Sequence, residues 1–96
     1  MIKHLKNEED FLNLTGSGKV LVDFYADWCG PCKIMGEILE TVDAEVLKVN
    51  TDEFPNLAQK FGVMSIPTLI LFKDGSESNK MIGLKSKDEI LDFINK

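Results

Sequence analysis

The sequence predicts an α/β fold: a central mixed sheet of five strands with helices on both faces, in the chain order β-α-β-α-β-α-β-β-α. Three features carry that expectation. Strand-like apolar runs alternate with helical stretches, which implies parallel strands joined by crossover helices. One run, Val20 to Ala26, is apolar on both parities apart from Asp23, as suits a strand buried on both faces. Asp74-Gly75 follows a strongly β-prone run and is a tight hairpin signal, adding an antiparallel pair at one side. The length of 96 residues suggests one domain, spanning 1–96.

The elements follow in order. Ile2 to Leu5 is a short extended segment. Asn7 is placed to cap a helix through Glu8, Glu9 and Asp10, whose carboxylates suit a helix start. Phe11, Leu12 and Leu14 supply its apolar face, and Gly16-Ser17-Gly18 stops it. After the Val20–Ala26 strand comes Cys29-Gly30-Pro31-Cys32, then a helix with Ile34, Met35, Ile38, Leu39 and Val42 at helical spacing. Glu45 to Asn50 reads as a strand. Pro55 sits in the first turn of the next helix, where its missing N–H costs little. Phe54, Leu57, Ala58 and Phe61 line one side of that helix and Gly62 ends it. Thr68 to Lys73 is the β-prone run, with a returning strand expected over Lys80 to Leu84. Ser86-Lys87-Asp88-Glu89 is a capping box opening a last helix, whose Ile90, Leu91, Phe93 and Ile94 should face inward.

Composition excludes several function classes. With 44% hydrophobic and 28% charged residues the chain is globular and not disordered. A net charge of −5 and eleven scattered lysines lack the footprint of a nucleic-acid binder. No apolar run approaches the roughly 20 residues that span a bilayer, so no membrane is expected. Met1 to Asp10 has no apolar core of a signal peptide, which makes the cytoplasm the expected compartment.

The two cysteines pose the functional question, because a C-x-x-C pair can hold a metal, staple a loop, fill a core or exchange disulfides. Zinc needs about four ligands. The chain offers two cysteines and one histidine, His4, which reads as a surface or strand-end residue. Structural disulfides are rare in the cytoplasm. An inert core position fits poorly with a strand-to-helix junction, since chemistry in α/β sheets favours the carboxyl ends of strands. The redox reading has a mechanism. At a helix start, Cys29 would meet the positive end of the helix dipole and unpaired N–H groups, both of which favour its thiolate. Pro31 presets the helical φ. Cys32, one turn further in, would be shielded. Cys29 is therefore expected to be the nucleophile and Cys32 the resolving thiol.

The segment Val22-Asp23-Phe24-Tyr25-Ala26-Asp27-Trp28-Cys29-Gly30-Pro31-Cys32-Lys33 resembles the active-site stretch of the thioredoxin family. Met64-Ser65-Ile66-Pro67-Thr68 resembles its second loop, and Lys48-Val49-Asn50, Asp74-Gly75 and Gly83 are further matches. The resemblance covers essentially the whole chain. It implies a monomeric protein-disulfide reductase with no bound cofactor, recharged by a flavin-containing thioredoxin reductase and acting on disulfide-containing target proteins. The Gly-Pro insert is the reductase type; isomerases of this fold usually carry Gly-His and glutaredoxins Pro-Tyr.

The resemblance also implies roles for other residues. Asp23 reads by itself either as a strand-edge carboxylate facing water or as a buried one with a raised pKa; the resemblance makes it a proton relay for Cys32. Lys48 reads as a surface lysine, and the resemblance implies that it lies near Asp23. An Ile66-Pro67 bond would by default be trans; the resemblance implies a cis bond packed against the disulfide, with Ile66 offering its backbone to an extended substrate. Trp28 could be core. The resemblance puts it with Gly30, Pro31, Ile66, Pro67 and Gly83 on a flat, mostly apolar docking surface. Two departures stand out. Gly36-Glu37 occupies the place of a common helix-kinking proline, and Tyr25 that of a tryptophan. Rival functions are a dedicated redox donor, a weak isomerase, or a docking subunit without turnover.

Overall fold

The computed structural model describes residues 1–96. Its elements are β1 (Ile2–His4), α1 (Phe11–Thr15), β2 (Lys19–Tyr25), α2 (Gly30–Glu40), β3 (Val46–Asn50), α3 (Pro55–Lys60), β4 (Thr68–Lys73), β5 (Ser76–Ile82) and α4 (Lys87–Ile94). A turn of 3-10 helix, Glu8–Asp10, leads into α1. The five strands form one mixed sheet in the order β1-β3-β2-β4-β5.

Alternation along the strands divides the core into two layers. Val20, Val22 and Phe24 of β2, Leu47 and Val49 of β3, and Ile70 and Phe72 of β4 point to one face. There they meet Phe11 of α1 together with Phe54, Leu57 and Ala58 at α3. Leu21, Val46, Leu69 and Leu71 point to the other face and meet Met35 and Leu39 of α2 and Ile90 and Phe93 of α4. Both faces of β2 are thus covered, which is why its sequence is apolar on both parities.

β1, β3 and β2 are parallel, as alternating βα units require. β4 departs from that run and pairs antiparallel with β2. The register explains how. Tyr25 lies opposite Asn50, and Phe24 lies opposite Thr68, so β4 starts at the sheet end where β2 and β3 finish. The α3 connection does not carry the chain back to the opposite end. The loop before β4 therefore sits at the same end as the cysteine segment.

Several local expectations are corrected. Asn7 makes no side-chain cap to the backbone, and the first helix is split between the 3-10 turn and α1. β5 begins at Ser76, directly after the turn, and not at Lys80. Its first residues, Ser76-Glu77-Ser78-Asn79, are polar because this is an edge strand facing water, where strand propensity is a poor guide. A bulge there pairs Leu71 with Asn79 and Phe72 with Glu77, leaving Ser78 extra. Asp74 and Gly75 both have positive φ (50° and 88°), the conformation that two-residue hairpins demand. Ile34 and Leu91, expected to face inward, are exposed. Each lies next to a buried residue, Met35 or Ile90, whose direction the helix favours.

The capping box of α4 is complete. The Glu89 backbone N–H donates to Ser86 Oγ (3.2 Å), and the Ser86 N–H donates to Glu89 Oε1 (3.1 Å). α4 supplies Ile90 and Phe93 to the core, so weakening its cap loosens one layer. Ser86→Ala is expected to cost about 1 kcal/mol, read as a lower urea midpoint with an unchanged slope.

Candidate active site

Cys29 occupies the N-cap position of α2, with extended backbone (φ −93°, ψ 110°). Its sulfur takes the place that a serine or aspartate oxygen holds in an ordinary cap: the Cys32 N–H donates to Cys29 Sγ at 3.2 Å. Pro31 fits the first turn because it has no N–H to leave unpaired. The two cysteines are joined in a disulfide with Cα atoms 5.2 Å apart, and both are buried. Gly30 and Pro31 between them are exposed, and a side chain at Gly30 would meet nothing within 4 Å.

The second loop comes up against this pair. Cys29 Sγ lies 3.9 Å from the Ile66 carbonyl oxygen. The Ile66-Pro67 peptide is cis, as the resemblance implied. Pro67 is buried, and its carbonyl accepts from the Gly83 N–H at 2.8 Å. Gly83 (φ 92°) is thereby held to the same loop. Trp28 belongs to the rim and not the core: it is 72% exposed, and its indole N–H donates to Asp52 Oδ2 at 2.9 Å. Asp52 was not singled out from the sequence. Its local signal was the Asn50-Thr51-Asp52 turn, in which Asn50 Oδ1 accepts from the Asp52 N–H at 2.9 Å.

Asp23, in the middle of β2, is fully buried. Spacing along the chain could not bring Lys48 to it, but strand register does. The two residues are directly opposed across β2 and β3, with Lys48 Nζ 3.8 Å from Asp23 Oδ2. At that distance the ammonium is an electrostatic partner and not a hydrogen-bond donor. Both carboxylate oxygens lack a donor. Burial raises the Asp23 pKa from 3.8 to about 6; the Lys48 charge pulls it down, and burial wins.

Lys48 Nζ also lies 4.4 Å from the Tyr25 ring centroid, a cation–π contact. Burial and the neighbouring Asp27 push the Tyr25 phenol up, so the ring is neutral beneath the ammonium. On the α2 side, a Cβ at Gly36 would stand 3.1 Å from Lys48 Nζ. The helix leaves room for the ammonium by having a glycine there, and α2 continues unbroken past it. An open cleft of about 410 Å³ runs along this region, lined by His4, Tyr25, Asp27, Cys32, Lys33 and Lys48. It gives water access to Cys32 and Lys48, with Asp23 behind the lysine. Nowhere do three His, Cys, Asp or Glu side chains converge as metal ligands.

A disulfide-bonded cysteine pair at a helix N-terminus with a cis-proline loop beside it suits disulfide exchange. The thioredoxin family model matches residues 2–96. The chain belongs to the thioredoxin family. Members of that family act as protein-disulfide oxidoreductases. A thioredoxin from Chlamydia caviae is 50% identical over 92 residues, covering 91% of this chain and 90% of that relative. A Staphylococcus aureus thioredoxin is 43% identical over 95 residues, covering 93% and 91%. Among solved structures, a mutant thioredoxin from Halobacterium salinarum superposes with a TM-score of 0.92 at 37% identity, over 98% of this chain and 88% of that one. An oxidised mitochondrial thioredoxin from Saccharomyces cerevisiae gives 0.87 at 35% identity, over 98% and 93%.

The Asp23 carboxyl has a stability consequence. A raised folded pKa means that the folded state holds this proton more tightly than the unfolded chain. Its contribution is therefore favourable at low pH and lost as pH rises through about 6. Asp23→Asn removes that dependence. The variant is expected to be more stable than the parent at pH 7, by about 3 kcal/mol. That advantage shrinks to nothing below pH 4, which urea unfolding of the oxidised proteins at both pH values will show.

Proposed function

We propose that this chain, folded as one domain over residues 1–96, is a protein-disulfide reductase in which Cys29 attacks and Cys32 resolves. The observation that carries the reading is the Cys29 sulfur at the N-cap of α2, already accepting the Cys32 N–H. In the reduced protein the same N–H and the helix dipole favour a thiolate there. That thiolate attacks a target disulfide, forming a Cys29–target bond and releasing one target thiolate. Cys32 then loses its proton and attacks Cys29 Sγ. The Cys29–Cys32 disulfide closes, and the second target sulfur leaves as a thiolate. The target gains two electrons and the dithiol loses two.

Asp23 is the proton acceptor for Cys32 in this reading. Its pKa of about 6 is supported by burial against Lys48, and a base near neutrality is well matched to a thiol. Lys48 holds the carboxylate from rising further. Trp28, Gly30, Pro31, Ile66, Pro67 and Gly83 form the docking surface. The exposed Trp28 face, the open space at Gly30 and the Ile66 carbonyl beside Cys29 support that assignment. An extended target segment pairs with the backbone at Ile66, a short form of strand addition. Electrons come from a flavin-containing thioredoxin reductase, and the oxidised disulfide is its substrate. We assign the protein to the cytoplasm as a monomer, where a reducing pool keeps such a pair in use.

Reduction of a protein disulfide, driven by dithiothreitol and then by a thioredoxin reductase, tests the assignment. Cys32→Ser is expected to accumulate a covalent complex with the target that runs as one species without reductant. Cys29→Ser is expected to form none and to turn over nothing. Absence of turnover by the parent protein would favour a docking subunit instead. Asp23→Asn is expected to slow release from the mixed disulfide by about 10²-fold and to remove the inflection near pH 6 from the rate profile. An unchanged profile would take Asp23 out of the proton path.

A further inference from the structure

His4, the single histidine of the chain, lies outside the chemistry described so far. The sheet nevertheless brings it into line with that chemistry. His4 is opposite Lys48 across β1 and β3, and Lys48 is opposite Asp23 across β3 and β2. Directly paired positions in parallel strands share a face. The three side chains therefore form one row across three neighbouring strands, His4–Lys48–Asp23, with strand spacings of about 4.8 Å.

Lys48 Nζ is enclosed on three sides: the Asp23 carboxylate at 3.8 Å, the Tyr25 ring centroid at 4.4 Å and the Gly36 backbone of α2. Its remaining side opens on the cleft, and His4 stands at that opening on the exposed edge strand. The imidazole meets the Tyr25 ring edge-on, with centroids 6.4 Å apart, so the same ring supports both basic groups. The other charged or titratable side chains lining the cleft are Asp27, from the loop after β2, and Lys33 and Cys32, from α2.

We propose that His4 is a positioning residue for the Lys48–Asp23 pair, its charge setting how readily Asp23 takes up a proton. An imidazole changes charge between pH 5 and 8. Protonated His4 confronts the Lys48 ammonium from the open side, presses it towards Asp23 and adds its own positive potential to the row. Both effects favour the carboxylate. Neutral His4 withdraws them. The Asp23 carboxyl then takes its proton more readily. A positive charge at His4 and a proton on Asp23 thus oppose each other along one row. The consequence for rate rests on the reading of Asp23 as the proton acceptor; the titration itself does not.

The test follows the Asp23 carboxyl by carbon NMR across pH 4–8 in the full oxidised chain at low ionic strength. His4→Gln removes the charge and keeps a polar side chain. The Asp23 midpoint is expected to rise by about 0.3–0.6 pH unit, the range for a unit charge about 10 Å away through a water-rich path. His4→Lys makes the charge permanent, and the midpoint is expected to fall below that of the parent. Raising the salt to about 1 M should bring all three curves together, since exposed charges at that range are screened. Loss of edge-strand packing alone would move both variants in the same direction. Superposable curves at low salt, or shifts of the same sign in both variants, overturn the proposal. If the shifts appear while the rate profile stays fixed, the row stands and Asp23 is not the proton acceptor.

Discussion

The parallel register between β2 and β3 is the constraint on which the rest depends. Five opposed pairs, from Leu21–Val46 to Tyr25–Asn50, align the two strands. A slip of one residue would turn every side chain of one strand to the other face. Asp23 would then lose Lys48, and the two apolar layers would no longer close. The same register makes β2 and β3 end level, where the Thr51 N–H donates to the Tyr25 carbonyl at 2.8 Å. The cysteine turn and the Asn50 turn therefore leave the sheet side by side. That is how Asp52 comes to steady Trp28. Because β4 starts at this end too, the cis-proline loop completes the cluster.

Against that frame, Asp23 is a deliberate flaw in an otherwise well-satisfied interior. Other buried polar side chains find partners: Thr15 donates to the Phe11 carbonyl, Thr68 to the Ser65 carbonyl, and Asn50 accepts from two backbone N–H groups. Asp23 alone has two oxygens with no donor. A donor at hydrogen-bond distance would lower its pKa and relieve the burial cost. Lys48, set too far away for that, offsets only part of the cost. The fold thus keeps a buried carboxyl whose pKa burial holds well above the usual carboxylate range.

Most of the architecture was legible because it depends on local patterns. The helix starts at Pro55 and Ser86, the Asp74-Gly75 turn and the apolar β2 run each have a physical signature within a few residues. The cysteine pair was legible for the same reason, since an N-cap sulfur, a proline and a helix are contiguous. What stayed hidden was non-local or solvent-facing. No spacing rule relates residue 48 to residue 23, because the pairing is fixed by the whole sheet. The antiparallel entry of β4 depends on which end of the sheet the chain leaves. The polar start of β5 carries no apolar alternation, being stabilised by its neighbour strand. His4 is an exposed residue at the end of β1, as it reads in the sequence, while its alignment with Lys48 is non-local.

Gly36 shows how closely the helix and the sheet constrain each other's composition. A glycine inside an α-helix is usually a defect, replaceable by alanine with a gain of about 1 kcal/mol. In α2 a methyl group there would stand 3.1 Å from the Lys48 ammonium, so that flexible end would have to give by a few tenths of an ångström. Positions 36 and 48 are therefore not independent variables. A bulkier residue on the helix calls for a shorter or displaced cation on the strand, and a chain that drops the cation frees the helix to take alanine. The packing of a helix thereby bears on where the charged neighbour of a buried carboxyl can stand.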